Sequence, residues 1–171
     1  MSRKDRLSIA FLVFALCVAC SLELYWYTYR DELVERAATD WMAWLFSVYG
    51  DADMGYFDHV SPMAIGQEVI NIFFTQILNV WLIVAIAGRK RYRYVLQLAL
   101  GAYVSYSVLL YFAAAHFSGY ADMRYRSAWT YGLLYGANLP WLLGYAYLTR
   151  DAIRGLMLRL KWTPTVSGKR E

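Results

Sequence analysis

The chain has 171 residues, 60% of them hydrophobic and 18% aromatic, with a mean hydropathy of +0.31. That composition excludes an ordinary soluble domain and describes a membrane protein. The formal net charge of +4 then reads as membrane topology and attraction to anionic headgroups, and no nucleic acid partner is expected.

A helix crossing a bilayer needs roughly 20 mostly apolar residues, and four stretches qualify, at about 7–29, 63–87, 92–117 and 128–149. The first is too long for the apolar region of a cleaved signal peptide, carries Glu23 and lacks a small-x-small cleavage site, so it is expected to stay in the mature protein. Cys17 and Cys20 form a CxxC within it, one helical turn apart. In an apolar span these are expected to be small buried hydrophobes, because a redox or zinc site needs a polar, accessible setting.

Residues 30–62 carry seven acidic side chains (Asp31, Glu32, Glu35, Asp40, Asp51, Asp53, Asp58) against Arg30 and Arg36. Within them DELVERAATDWMAWLFSVY reads as an amphipathic helix at the membrane interface, either a belt of anchors or a lid. His59 and His116 fall at or beyond the same ends of the spans without grouped carboxylates or thiols. Neither a metal nor a cofactor is expected.

The basic residues gather elsewhere: Arg3, Lys4 and Arg6 before the first span, Arg89, Lys90, Arg91 and Arg93 between the second and third, and Arg150, Arg154, Arg159, Lys161, Lys169 and Arg170 after the fourth. Positive charge near span ends stays cytoplasmic. Both termini, including a tail over 150–171, are therefore expected in the cytoplasm, with the acidic loop lumenal or exoplasmic. The expected fold is all-α: one membrane domain over 1–171, a bundle of four transmembrane helices with an amphipathic lumenal loop helix. The terminal TPTVSGKRE holds a half-match to a dilysine-type retrieval signal, which chance explains. Gly132 and Gly136 form a GxxxG, read as close helix packing inside the monomer or across a homodimer.

Charge inside a bilayer costs about 2.5–3.5 kcal/mol at mid-depth and marks function. Only Glu23 and Glu68 lie within the four stretches as acids, each a short distance from the acidic-loop end, and no basic residue shares a span with them. On the second stretch Glu68, Asn71, Thr75 and Asn79 are spaced for one helical face; on the fourth, Tyr131, Tyr135, Asn138, Trp141 and Tyr145 are too. Tyr103, Ser107 and Tyr111 can line the third. Facing each other, these stripes would enclose a pocket with carboxylates and an amide at one end and aromatic walls, widened where Pro140 interrupts its helix. Taken singly, Asn71, Thr75 and Asn79 are read as interhelical packing glue. A carboxylic acid held neutral in an apolar pocket is a proton donor.

The segments ELYWYTYRDEL (23–33), QEVIN (67–71), RYRYVLQL (91–98), LYFAAAHFSGY (110–120) and NLPWLLGYAYLTRDAIRGL (138–156) occur in an order and spacing that resembles the EXPERA superfamily. This is a group of four-helix membrane proteins that includes emopamil-binding-protein-type sterol isomerases and sigma-2 receptor-like binding proteins. The resemblance implies a site with a glutamate on each of the first two helices and an Asn-x-x-Trp on the last, which fall on Glu23, Glu68, Asn138 and Trp141. It implies catalytic roles for these four and a substrate-binding wall for which Asn71, Thr75, Tyr111, Tyr131 and Tyr135 are the candidates. It departs at Ala19, where the isomerases carry a histidine one turn before the first glutamate, and at Asn71, where they carry a threonine. Three functions follow: a sterol or terpenoid isomerase or cyclase using the two glutamates, a binding protein for sterols or cationic amphiphiles, and a scaffold in lipid metabolism. The expected partners are a lipophilic small molecule and membrane lipids. The resemblance points to the endoplasmic reticulum membrane, or to the inner membrane in a bacterium.

Overall fold

A computed structural model describes residues 1–160; the terminal TPTVSGKRE and its half-matched retrieval signal lie outside them. Helix makes up 81% of the structure, and no strand occurs among the described residues. Among the described residues, three helices are long and apolar enough to cross a membrane: Arg3–Arg36, Pro62–Ala87 and Arg93–Phe117. A fourth long helix, Ala128–Arg159, packs along the third. It is not one of the three, since polar and aromatic residues such as Asn138, Tyr145 and Thr149 dilute its apolar run.

The ends are set by local chemistry. Ser2 caps the first helix in a reciprocal box with Asp5, Ser61 caps the second with Pro62 in its first turn, and Ser127 caps the fourth in a box with Thr130; each satisfies amide groups left free in the first turn. The third helix closes at Gly119, whose φ of +65 suits a residue without a β-carbon.

The first helix is longer than its apolar stretch, because Arg30–Glu32 continue it as a 3-10 turn into Leu33–Arg36. The expected interface helix is correspondingly shorter, Trp41–Gly50, restarted by Asp40, whose side chain accepts from the Met42 amide at 2.9 Å. Trp41 and Trp44 project from it while Ala43 is buried. Cys17 and Cys20 are exposed, correcting the expectation that they are buried: they sit on the outer face of an apolar helix, where lipid rather than core accepts a small apolar group. Gly132 and Gly136 have open space where a β-carbon would stand, so packing within the monomer is not what this GxxxG does.

The core of the described residues divides into three clusters, one of which, around Ala52, Met123 and Leu134, lies under the start of the fourth long helix. Toward the arginine-rich end, Leu12, Leu82, Ile86, Leu100, Tyr145 and Leu148 pack all four long helices together. The half-buried pair Arg93–Asp5, at 2.9 Å, ties the third helix to the first. Toward the other end a second cluster forms around Trp26, Leu33, Ala43, Tyr56 and Ala64, beneath the loop.

Candidate functional site

Two of the long helices leave α geometry at a glutamate or just after one. Ala19–Glu23 and Ile70–Thr75 are π segments, and the two pack against each other. A π segment withdraws a carbonyl from the helical ladder and is common at functional sites. Within a membrane that carbonyl needs a new donor. Thr75 Oγ1 donates to Ile70 O and Gln76 Nε2 to Asn71 O, both at 3.2 Å. Thr75 is thus committed to its own backbone.

The π turn also redistributes the polar stripe. Glu68, Asn71 and Thr75 line a cavity of about 380 Å³. Asn79 does not; it is fully buried below, accepting from Tyr145 Oη at 3.0 Å and donating to Gln76 Oε1 at 2.7 Å. Glu23, Asn138 and Trp141 line the same cavity, as do Tyr103, Ser107 and Tyr145. Toward the outside its wall includes Met63, Ile70, Tyr106 and Leu110, all exposed, so the cavity opens sideways between the second and third long helices.

Within it the polar groups are sorted. Asn71 Nδ2 donates to Glu23 Oε2. Tyr56 Oη donates to Glu68 Oε1 at 2.9 Å, while Glu68 Oε2 is buried with no hydrogen-bond partner. Asn138 Nδ2 donates both to Tyr49 Oη, at 3.1 Å, and to its own helix at Leu134 O, at 2.8 Å. With both amide hydrogens engaged, only its carbonyl oxygen remains for a ligand. Trp141 stacks on Phe14 of the first helix, 5.6 Å between centroids. The cavity therefore offers acceptors and ring faces, and its lining includes no basic side chain.

Tyr111, Tyr131 and Tyr135 lie elsewhere. Tyr111 donates to Asp53 Oδ2 at 2.5 Å and lines a smaller neighbouring cavity of about 180 Å³. Tyr131 and Tyr135 pack with Tyr120 nearer the start of their helix. The regular spacing on the fourth helix puts all five residues on one face, but the cavity ends at Asn138, and the turns before it meet the loop.

Tyr56 is the residue that sequence reasoning missed. It sits on a 3-10 turn, Met54–Tyr56, capped by Asp53, whose Oδ1 accepts from the Gly55 amide at 2.9 Å. Fully buried Trp26 donates Nε1 to the Tyr56 carbonyl at 2.8 Å, fixing the turn over the cavity. Burial, and then the neighbouring Glu68, push the Tyr56 hydroxyl well above the ordinary tyrosine range, so it stays a donor. Burial also raises Tyr49 to about 12. No periodicity marks a loop tyrosine for this place; the adjacent Asp-x-Gly turn is the one local signal.

No curated protein matches the sequence. A sequence model of EXPERA, the EXPanded EBP superfamily, matches residues 24–152, which include Glu68, Asn138 and Trp141 and begin one position after Glu23. The chain belongs to the EXPERA family, which includes sterol isomerases and sigma-2-like binding proteins.

Proposed function

We propose that the chain is a membrane-embedded isomerase or cyclase of a sterol or terpenoid, adding one proton to a C=C bond and removing another. The observation that carries this reading is the pairing of Glu23 and Glu68 on one cavity beside Trp141, with one Glu68 oxygen buried and unpartnered. In the proposed step the proton passes from the Glu68 carboxyl to one olefinic carbon, and the π electrons form the new C–H bond. The positive charge left on the more substituted carbon is held by the Glu23 carboxylate and the Trp141 ring. A neighbouring C–H then yields its proton to a carboxylate, its electrons making the new double bond. In a cyclase a second C=C closes onto the cation first. The step needs no oxidant, reductant or cofactor.

The cavity's own residues divide the remaining work. Tyr56 holds Glu68 at one oxygen and leaves the other toward the substrate; Asn71 orients Glu23; Asn138 turns its carbonyl to the developing charge; Thr75 is wall. The same reading takes the fourth long helix as a fourth span and puts both termini in the cytoplasm. It assigns the protein to the endoplasmic reticulum membrane, or a bacterial inner membrane, with the outward Gly132–Gly136 face as the place where a homodimer would close.

Deuterium from D2O should enter a converted olefin, and Glu68→Gln should lower conversion by at least about 100-fold, the lower range for loss of a general acid. Conversion unchanged in Glu68→Gln would sink the mechanism. A second reading, a binding protein for sterols or cationic amphiphiles, draws on the fully buried Ala19 where the family's isomerases carry histidine. Mass spectrometry of lipids co-purifying with wild type and Glu68→Gln separates the two: altered double-bond position or ring count favours the enzyme, the same unaltered sterol in both favours binding.

A further inference from the structure

On the opposite flank of the bundle from the loop, the third and fourth long helices form an outward groove of about 380 Å³, lined by Ala102, Ser105, Ala146, Thr149, Ile153 and the arginines 150 and 154. Its origin is the close approach of the two helices at Gly101, where a β-carbon would stand 2.7 Å from the Tyr145 carbonyl and against the Thr149 hydroxyl. With the backbones this near, the small residues Ala102 and Ala146 leave a channel on the outer side instead of a ridge.

The groove is graded. Arg150 and Arg154, one helical turn apart and both exposed, stand at its end, and neither has an acidic partner among the described residues. The nearby Asp151 is turned away, toward Lys4 at 3.8 Å and Gln97 Nε2 at 3.3 Å. Ser105 lies one turn beyond Gly101, roughly 6 Å farther from the arginines by helical rise, and its Oγ is buried without a hydrogen-bond partner.

We propose that this groove is a binding site for one anionic phospholipid. Its phosphate is held by Arg150 and Arg154, its glycerol backbone passes between Ala102 and Ala146, and an ester carbonyl at the inner end accepts from Ser105 Oγ. Charge complementarity selects the occupant: two guanidinium groups without an acidic partner among the described residues match a phosphate at a bilayer surface, and the channel of small residues running inward from them matches the glycerol and ester linkage attached to it. The site is separate from the carboxylate cavity, with which it shares no lining residue, and does not depend on the proposed reaction.

Native mass spectrometry of the delipidated full chain, titrated with phosphatidylglycerol or phosphatidylcholine of the same acyl chains, tests it. Phosphatidylglycerol should be retained as a single tightly held copy and phosphatidylcholine at least tenfold less. Arg150→Gln with Arg154→Gln should erase that preference. Ala146→Phe, an outward substitution that fills the channel and keeps both arginines, should lower phosphatidylglycerol retention at least fivefold with an unchanged melting temperature. Equal retention of the two lipids, or an equal loss from Lys90→Gln with Arg91→Gln at the same end of the bundle, would overturn the proposal by reducing it to general charge attraction. Displacement of the lipid by millimolar inorganic phosphate would overturn it as well, because the channel would then contribute nothing.

Discussion

The two ends of this bundle are made from the same helices and solve opposite problems. Toward the arginine-rich end, Leu12, Leu82, Ile86, Leu100 and Leu148 are almost wholly buried, and Gly101 lets two helices touch backbone to side chain. Toward the loop, the first two helices each break into a π segment, and the space between helices is kept as a cavity with largely apolar and aromatic walls and a few polar side chains. The difference teaches where each property resides. Burial of aliphatic groups, worth about 1.5–3 kcal/mol per large side chain, is concentrated in the closed half. The open half packs mostly aromatic and small residues around its cavity and adds hydrogen bonds from Trp26, Tyr56, Asn71 and Asn138.

The surest way to break the contrast is at Gly101. In Gly101→Leu the new side chain meets the Tyr145 carbonyl and the Thr149 amide, backbone atoms that cannot rotate away. The third and fourth helices must then part, and the variant should fail to purify as a monodisperse species in mild detergent. A monodisperse, normally melting Gly101→Leu protein would show that this contact is not what closes the lower half.

A smaller effect separates the halves directly. Leu82→Ala removes a fully buried side chain from the closed core and should cost 2–5 kcal/mol, about the usual range for such truncations, read as a fall in unfolding midpoint. Glu68→Gln is nearly as buried, yet it keeps an acceptor for Tyr56 and replaces an oxygen that has no partner. Its midpoint should move by less than about 1 kcal/mol while conversion is lost. Equal destabilisation by both would mean that the cavity end is as much a structural core as the other.

The second and third helices were the legible ones. Apolar runs predict their ends to within a residue or two at Pro62, Ala87, Arg93 and Phe117, because hydrophobic length is what a bilayer dictates, whereas the first and fourth helices run past the expected 29 and 149 to Arg36 and Arg159 on polar residues that no bilayer length predicts. Charge in lipid likewise singled out Glu23 and Glu68, both of which line the cavity. What the sequence hid depends on departures from regular geometry. The Ile70–Thr75 π turn takes Asn79 out of the polar stripe, and the loop delivers Tyr56 from a turn that no period describes. Tyr131 and Tyr135 were drawn in by spacing alone, which gives the face of a helix but not the depth at which a cavity stops. The cysteines misled for a related reason: in lipid an apolar residue gains nothing by being inside rather than outside.

The smallest expected effect sharpens the contrast through pH. Asp53 lies in the loop outside the spans, and burial holds its carboxyl above the ordinary carboxylate range, against the opposing hydrogen bonds from Tyr111 and the Gly55 amide. The sign follows from linkage. Below the unfolded-state value of about 3.9 the group is neutral whether folded or not and costs nothing. Between that value and the higher folded one, the unfolded chain releases the proton and the folded chain retains it, so stability falls as pH rises through this window. Above the folded value the cost stays constant. Asp53→Asn removes the titration and retains an acceptor for Tyr111, so the difference in unfolding midpoint between wild type and Asp53→Asn should drift in the variant's favour as pH rises from 4, then level off. A difference that stays flat would place Asp53 in water, and the cap that presents Tyr56 to Glu68 would then have to be held from the Trp26 side alone.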